Sequence, residues 1–299
     1  MSQPIISIFR PDPMMPDYAI IEDARNLIKK IYHRALSILR ELSSLLVSFY
    51  RLYFYEDYQY DRPLEWNPES KGLCVMVHGL SANPTTWNLQ FDQLRNHPDI
   101  DTFAPVVTKA GFCSLEEAAD PILPVILDYA EKNPKKPICL IGTSNGSRIC
   151  TYLETLMRDK APSTPVKVST IAGIHFGSSL MNHLNWLGLA KFFMPPVLRE
   201  ELPYGNKKAQ ELLARVREPL GQEAAERAYE FFATPDDLIV PDLESSLPAL
   251  NKGEVYHILP GHSHCSLPGA IAKKQIALCV EWIFGRLRNG QNDYYTETT

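Results

Sequence analysis

From about residue 64 the chain alternates short apolar runs with segments of helical periodicity. Leu73 to Val77 is one such run, ending at His78-Gly79. Phe103 to Val107, Pro137 to Ile141, Val166 to Ile174, Tyr229 to Ala233 and Val255 to Leu259 read as further strands. Trp87 to Leu94, Ser114 to Ala130 and Pro268 to Leu287 carry helical patterns. Ser114 is an N-cap with Glu117 as its capping-box partner, and Pro121 and Pro124 shorten or kink the helix that follows. Strands alternating with helices predict βα units. The fold class is therefore α/β, with a mostly parallel sheet flanked by helices and ligands bound at the carboxyl ends of the strands.

Two segments depart from this rhythm. Residues 178–227 hold no strand pattern; they carry an apolar piece interrupted by Pro195-Pro196, then charged helical pieces. Inserted between two strands, they read as a small helical cap able to cover a site. Residues 23–53 predict a long helix. Ile28, Ile31, Ala35, Ile38, Leu42, Leu45, Phe49 and Leu52 recur at spacings of three and four and form one stripe, with Arg25, Lys29, Lys30, Arg34 and Arg40 on other faces. That stripe packs on the rest of the fold, or it makes peripheral contact with a membrane surface, which basic residues beside an apolar, aromatic-rich face suit. The expected organisation is an N-terminal helical extension over 1–62 and a main domain over 63–299, with the cap inside it.

Composition narrows the partners. The 299 residues carry a net charge of −5, which gives no reason to expect nucleic acid. The start of the chain lacks the basic and apolar regions of a secretory signal, and no stretch of about 18 uncharged apolar residues suggests a membrane span. Cys74, Cys113, Cys139, Cys150, Cys265 and Cys279 match no zinc spacing, and several sit in apolar runs. A reduced, cytoplasmic setting, with or without membrane association, is expected, although an even count is also compatible with disulfides.

The chemistry centres on Gly142-Thr143-Ser144-Asn145-Gly146, between the apolar run Pro137–Ile141 and the helical segment that opens at Ser147. Strand, G-x-S-x-G turn and helix form a nucleophile elbow, which exposes the Ser144 hydroxyl above the sheet. A serine needs a base, and the base needs an orienting acid. The acid candidates follow the strand ending at Ala233: Asp237 is favoured, with Asp236 holding the turn as the alternate. The base candidates follow the strand ending at Leu259: His262 is favoured because Gly261 frees the loop before it, with His264 as the alternate. Two histidines without a third clustered ligand make a poor metal site, so neither metal nor cofactor is expected. The oxyanion donors are the backbone N–H groups of Asn145 and of Leu80, and His78 shapes the loop that carries Leu80.

The motifs Val77-His78-Gly79-Leu80, Gly142–Gly146, Asp237-Leu238-Ile239-Val240-Pro241 and Gly261-His262 resemble those of the α/β-hydrolase superfamily, and within it lipase-like serine hydrolases. Ile171 to Ser178 is loosely similar to a Thr-Pro-His-x-Gly-Ser stretch of many lipases, with Gly173-Ile174 where that stretch has proline. The resemblance covers about residues 70 to 289. It implies the α/β-hydrolase fold and an esterase-like triad of Ser144, His262 and Asp237. The expected activity is cleavage of carboxylic esters with hydrophobic acyl groups, the partner being a small-molecule ester or lipid. A non-catalytic scaffold of the same fold and an acyltransferase are the alternatives, because this fold hosts many chemistries.

Overall fold

The apolar runs become strands buried on both faces, since helices cover the sheet from either side. In the computed structural model, which describes residues 6–9, 31–41, 43, 65–221 and 224–293, the strands are β1 (Ile6–Phe9), β2 (Gly72–Val77), β3 (Ile100–Phe103), β4 (Ile138–Thr143), β5 (Val166–Ile171), β6 (Arg227–Ala233) and β7 (Val255–Ile258). They form one sheet in the order β1-β7-β6-β5-β4-β2-β3. All neighbours from β3 to β7 are parallel, and β1 pairs antiparallel to β7, with Ile6 opposite Ile258. Thus residues 6–9, which the sequence pattern leaves in a separate extension, complete the edge of the main sheet.

The described helices are α1 (31–41), α2 (Asn88–Leu94), α3 (Leu115–Ala119), α4 (Leu123–Lys132), α5 (Asn145–Lys160), α6 (Ser179–Trp186), α7 (Pro196–Glu201), α8 (Lys207–Arg217), α9 (Leu243–Ser246) and α10 (Leu267–Asp293). On one face of the sheet Ile126, Tyr129, Ile149, Leu153 and Leu213 join a core with Leu73, Val75, Leu140 and Phe231. On the other face Leu94, Ile271, Ile276 and Ile283 pack against Cys74, Met76, Cys139 and Ile141. Helices α6, α7 and α8 lie between β5 and β6, in the segment expected to form a cap; α8, however, joins the core on the first face through Leu212, Leu213 and Val216. All six cysteines are free thiols. No helix among the described residues is long and apolar enough to cross a membrane.

Three boundaries differ from the sequence pattern, each for a local reason. The strand expected at Phe103–Val107 lies at Ile100–Phe103. Pro105 has no N–H for a ladder, and the Val107 N–H is donated to His78 Nε2 at 3.0 Å. The helix expected over Ser114–Ala130 divides into α3 and α4, with the break at Asp120–Ile122 around Pro121. Ser114 caps it as expected, accepting from the Glu117 N–H at 3.1 Å, while the Glu117 carboxylate pairs with Lys109 instead of reaching back. Strand β5 stops at Ile171 because Ala172 turns to φ +46°, a left-handed conformation that ends a strand. Of the helix expected over 23–53, residues 31–41 and 43 are described and are helical; the rest lies outside the described residues.

One buried carboxylate ties the elbow helix to the sheet. Glu154 on α5 accepts from Arg158 Nε at 2.8 Å and from Arg227 Nε, at the start of β6, at 3.1 Å. Glu154 and Arg227 are buried, so each depends on the other for compensation. Replacing Glu154 by Ala leaves a buried guanidinium without its counter-ion. The expected cost is about 3–5 kcal/mol, read from urea unfolding; a loss under about 1 kcal/mol would contradict this account.

Candidate active site

The G-x-S-x-G segment makes a turn that few residues adopt. Ser144 sits at φ +53°, ψ −124°, a sparsely populated region for a residue with a side chain. Its N–H donates to Ile171 O at 2.9 Å, and the Ser147 N–H returns to Ser144 O at 3.0 Å. The two flanking glycines are there for space. A Cβ on Gly146 would lie 2.1 Å from Val77 O, and one on Gly142 would lie 2.5 Å from Gly146 O. Helix α5 therefore starts in backbone contact with the ends of β2 and β4, and Ser144 stands at the carboxyl edge of the sheet.

The His78-Gly79-Leu80 loop lies beside the serine. A Cβ on Gly79 would sit 2.9 Å from Ser144 Cβ and 3.5 Å from its Oγ. His78 is buried and fixed at both ring nitrogens: Nδ1 meets Gly79 O at 2.9 Å, and Nε2 accepts from Val107 N–H. Burial lowers its pKa, against the hydrogen bond to Gly79, so the ring is a neutral brace for this loop. Asn145 is the first residue of α5, where an N–H has no intrahelical acceptor. The two N–H groups named from the sequence, on Leu80 and Asn145, thus belong to segments that flank Ser144 directly.

In the loops after β6 and β7 the two pairs of alternates make different contacts. Asp237 Oδ1 accepts from the N–H groups of Ile239 and Val240, both at 2.8 Å. Its Oδ2 meets His264 Nδ1 at 2.7 Å. Asp236 instead accepts the Gly261 N–H at 2.6 Å and holds the turn. The carboxylate that reaches a histidine is therefore Asp237, and the histidine that it reaches is His264. His262, favoured from the sequence, points its Nδ1 to Arg40 Nη1 at 3.3 Å. The reason is local: Arg40 donates to the Gly261 carbonyl as well, and Thr234 Oγ1 donates to the His262 carbonyl at 3.0 Å, which turns that ring away from Asp237. The Ser144 hydroxyl is hydrogen-bonded to neither histidine. Such contacts often tighten only when substrate is bound.

Charge separates the two rings further. Burial alone would lower the His264 pKa, but the Asp237 charge, the Asp237 hydrogen bond and the charge of Glu41 outweigh it and raise it above the usual 6.5. Burial and then Arg40 push His262 down to about 4, against a smaller opposing effect of Asp236. Bonded through Nδ1 to a carboxylate, His264 can take a proton at Nε2 and hold the resulting cation. His262 at neutral pH is an uncharged acceptor for Arg40.

The cap is fastened to the elbow by charge. Arg148, buried on α5, donates to Asn145 Oδ1 and to Glu201 Oε2, each at 3.1 Å, and Glu201 Oε1 accepts from Lys208 at 2.7 Å. Ser178 Oγ donates to Ile239 O at 2.8 Å and links the cap to the acid loop. Met181, Ala190, Leu198 and Leu202 from this segment form a small core with Ile174, after β5, and Val240, after β6. Half-buried Leu80, Phe112, Met194 and Val197 pack against it, which brings apolar side chains to the Leu80 loop. Trp186, Phe192 and Phe193 are 83%, 75% and 50% exposed, and so are not part of that core. Sequence reasoning missed Arg148, Glu201, Arg40 and Glu41. The placement of Arg148 three residues after Asn145 was the one legible signal among them.

The ring titrations check this arrangement. In NMR of the imidazole nitrogens, His264 should titrate above 6.5 and His262 near 4. The opposite order would assign the carboxylate partner wrongly.

No family model matches the chain, and no curated protein matches it. Among solved structures the chain is similar to Est1E from Butyrivibrio proteoclasticus, at 17% identity and a TM-score of 0.51, over 76% of this chain and 93% of that one. Est1E with bound ferulic acid aligns at 19% identity and a TM-score of 0.51, over 72% of this chain and 90% of that one. Phospholipase PlaB from Legionella pneumophila, in complex with thio-NAD, aligns at 15% identity and a TM-score of 0.41 over 55% of this chain; the match spans 37% of PlaB. At these identities the likeness concerns the fold. Parallel sheet, flanking helices and the strand–turn–helix at Ser144 agree with it: the chain has the α/β-hydrolase fold.

Proposed function

We propose that this protein is a serine hydrolase that cleaves carboxylic esters with hydrophobic acyl groups. The observation that carries the reading is the strained Ser144 turn, whose positive φ is held by backbone contact between α5 and β2. Strain of this kind persists where function uses it. The 2.7 Å contact between Asp237 and His264 supports it, because both lie on loops at the same carboxyl edge as Ser144.

In this reading Ser144 Oγ attacks the ester carbonyl carbon and His264 Nε2 takes the hydroxyl proton. Asp237 keeps the ring in the tautomer with the proton on Nδ1 and stabilises the imidazolium. The Leu80 and Asn145 N–H groups receive the oxyanion of the tetrahedral intermediate. The intermediate collapses, the C–O bond to the alcohol breaks, and His264 returns the proton to the leaving oxygen. Water then attacks the acyl-serine, its proton passes to His264, and the acid leaves as Ser144 recovers its hydrogen. The apolar side chains beside the Leu80 loop favour a hydrophobic acyl group.

Ser144→Ala should abolish hydrolysis of p-nitrophenyl esters and labelling by a fluorophosphonate. His264→Ala should lower kcat by on the order of 10³-fold or more, whereas His262→Ala should retain most of it. Labelling that survives in Ser144→Ala would end the reading. If His262→Ala is the dead variant and His264→Ala is active, the base has been misassigned.

Peripheral contact with a lipid surface belongs to the same proposal. The stripe, which the sequence pattern leaves open to packing on the fold or to contact with a membrane surface, is turned outward in the described part of α1: Ile31 and Ile38 are 59% and 42% exposed, and Tyr32 and Leu39 beside them are exposed too. Exposed apolar side chains next to Arg34 suit an anionic interface. Replacing Ile31, Tyr32, Ile38 and Leu39 together by Ser should reduce co-sedimentation with phosphatidylglycerol vesicles; equal sedimentation of both proteins would remove this role.

A further inference from the structure

The polar side of α1 reaches the histidine loop, and nothing in the reaction described so far uses it. Ser37 Oγ donates to Asp236 O at 2.7 Å, Arg40 donates to Gly261 O, and Glu41 Oε2 accepts the Cys265 N–H at 3.0 Å. These three bonds grip the residues on either side of Asp237 and His264. Glu41 is 7% exposed, and its second oxygen, Oε1, is buried without a hydrogen-bond partner among the described residues. A carboxylate in that condition is costly, and an apolar residue at the same place would hold the helix down at lower cost. Its position has a chemical use only if a positive charge forms nearby.

We propose that Glu41 is a positioning residue of this active site: it holds the His264 loop through the Cys265 N–H, and its charge stabilises the His264 imidazolium alongside Asp237. The proposal rests on His264 being the base. The cation forms as Ser144 is deprotonated, so a fixed negative charge nearby acts on the transition state more than on the resting enzyme. The groups around the ring fit this division. Asp237, from the loop after β6, is bonded to His264; Glu41, from α1, raises its pKa in the same direction. Arg40 and Asp236 act on His262. The Cys265 thiol, next in the chain to His264, is pushed up by burial and by Glu41 and stays neutral. The catalytic loop is thus completed by a helix more than 200 residues upstream, with Cys265 and Glu41 separated by 224 positions.

Glu41→Gln separates charge from hydrogen bonding, because its amide oxygen can still accept the Cys265 N–H. In the full-length protein it should lower the midpoint of His264 in ring-nitrogen NMR and move the acid limb of kcat/KM to lower pH, in the same direction. Glu41→Ala should also lose hydrogen-exchange protection at Cys265 and lower kcat by on the order of 10-fold or more, as loosened positioning does. A merely structural role would reduce folding or activity at every pH without moving either midpoint. If His264 titrates identically in wild type and Glu41→Gln, the proposal is overturned, and Glu41→Gln decides even where Glu41→Ala fails to fold. If the wild type shows no Ser144-dependent turnover, the hydrolase reading fails; the ring titration still reports whether Glu41 acts on His264.

Discussion

The backbone of α5 must begin within van der Waals reach of the backbone at the end of β2, and most of the site follows from that contact. Gly146 has no room for a methyl group against Val77 O. With the helix start fixed there, the chain between β4 and α5 can close only through a residue at positive φ, and that residue is Ser144. The same contact aligns the end of β2 with the serine, so the loop after β2 runs past it at Gly79. Helix α5 is then committed along its length: Glu154 pairs it to Arg227 on β6, and Arg148 pairs it to Glu201 in the cap. Energy stored in the turn is offset by packing and ion pairing elsewhere along the helix.

The loops after β6 and β7 follow a different logic. Strand register delivers them to the same edge as Ser144, but polar contacts decide which side chain does what. Two adjacent aspartates divide the work: one fixes the Gly261 turn, and the other meets a histidine. Two histidines separated by one residue diverge in the same way, one toward a carboxylate and one toward a guanidinium. Opposite neighbours then drive their proton affinities apart without any difference in residue type.

Helix α1 meets the rest of the fold by its polar side. Its stripe of Ile31, Ala35 and Ile38 faces outward, while Ser37 and Glu41 are buried against the loops after β6 and β7. A helix usually docks by its apolar face because that transfer is favourable. Here three directed hydrogen bonds to two loops set the orientation, and the apolar side is left free. The charged Glu41 ends buried at these loops, beside Ser37.

Much of the architecture was legible in the residues. Apolar runs gave the parallel strands their number and order along the chain, since a strand covered on both faces is mostly apolar, with its few buried polar groups, such as Lys167 and Glu230, paired to each other. The glycines of the elbow marked Ser144, because only the smallest residue permits that approach. Tertiary structure decided what spacing cannot encode: that residues 6–9 pair with β7, that His264 rather than His262 meets Asp237, and that Glu41 closes over their loop. Those outcomes depend on contacts between segments up to about 250 positions apart, and each turns on a hydrogen bond of specific direction. A hydrophobic pattern records how far a side chain is buried; it carries no direction, and so cannot say which polar neighbour a buried side chain will find.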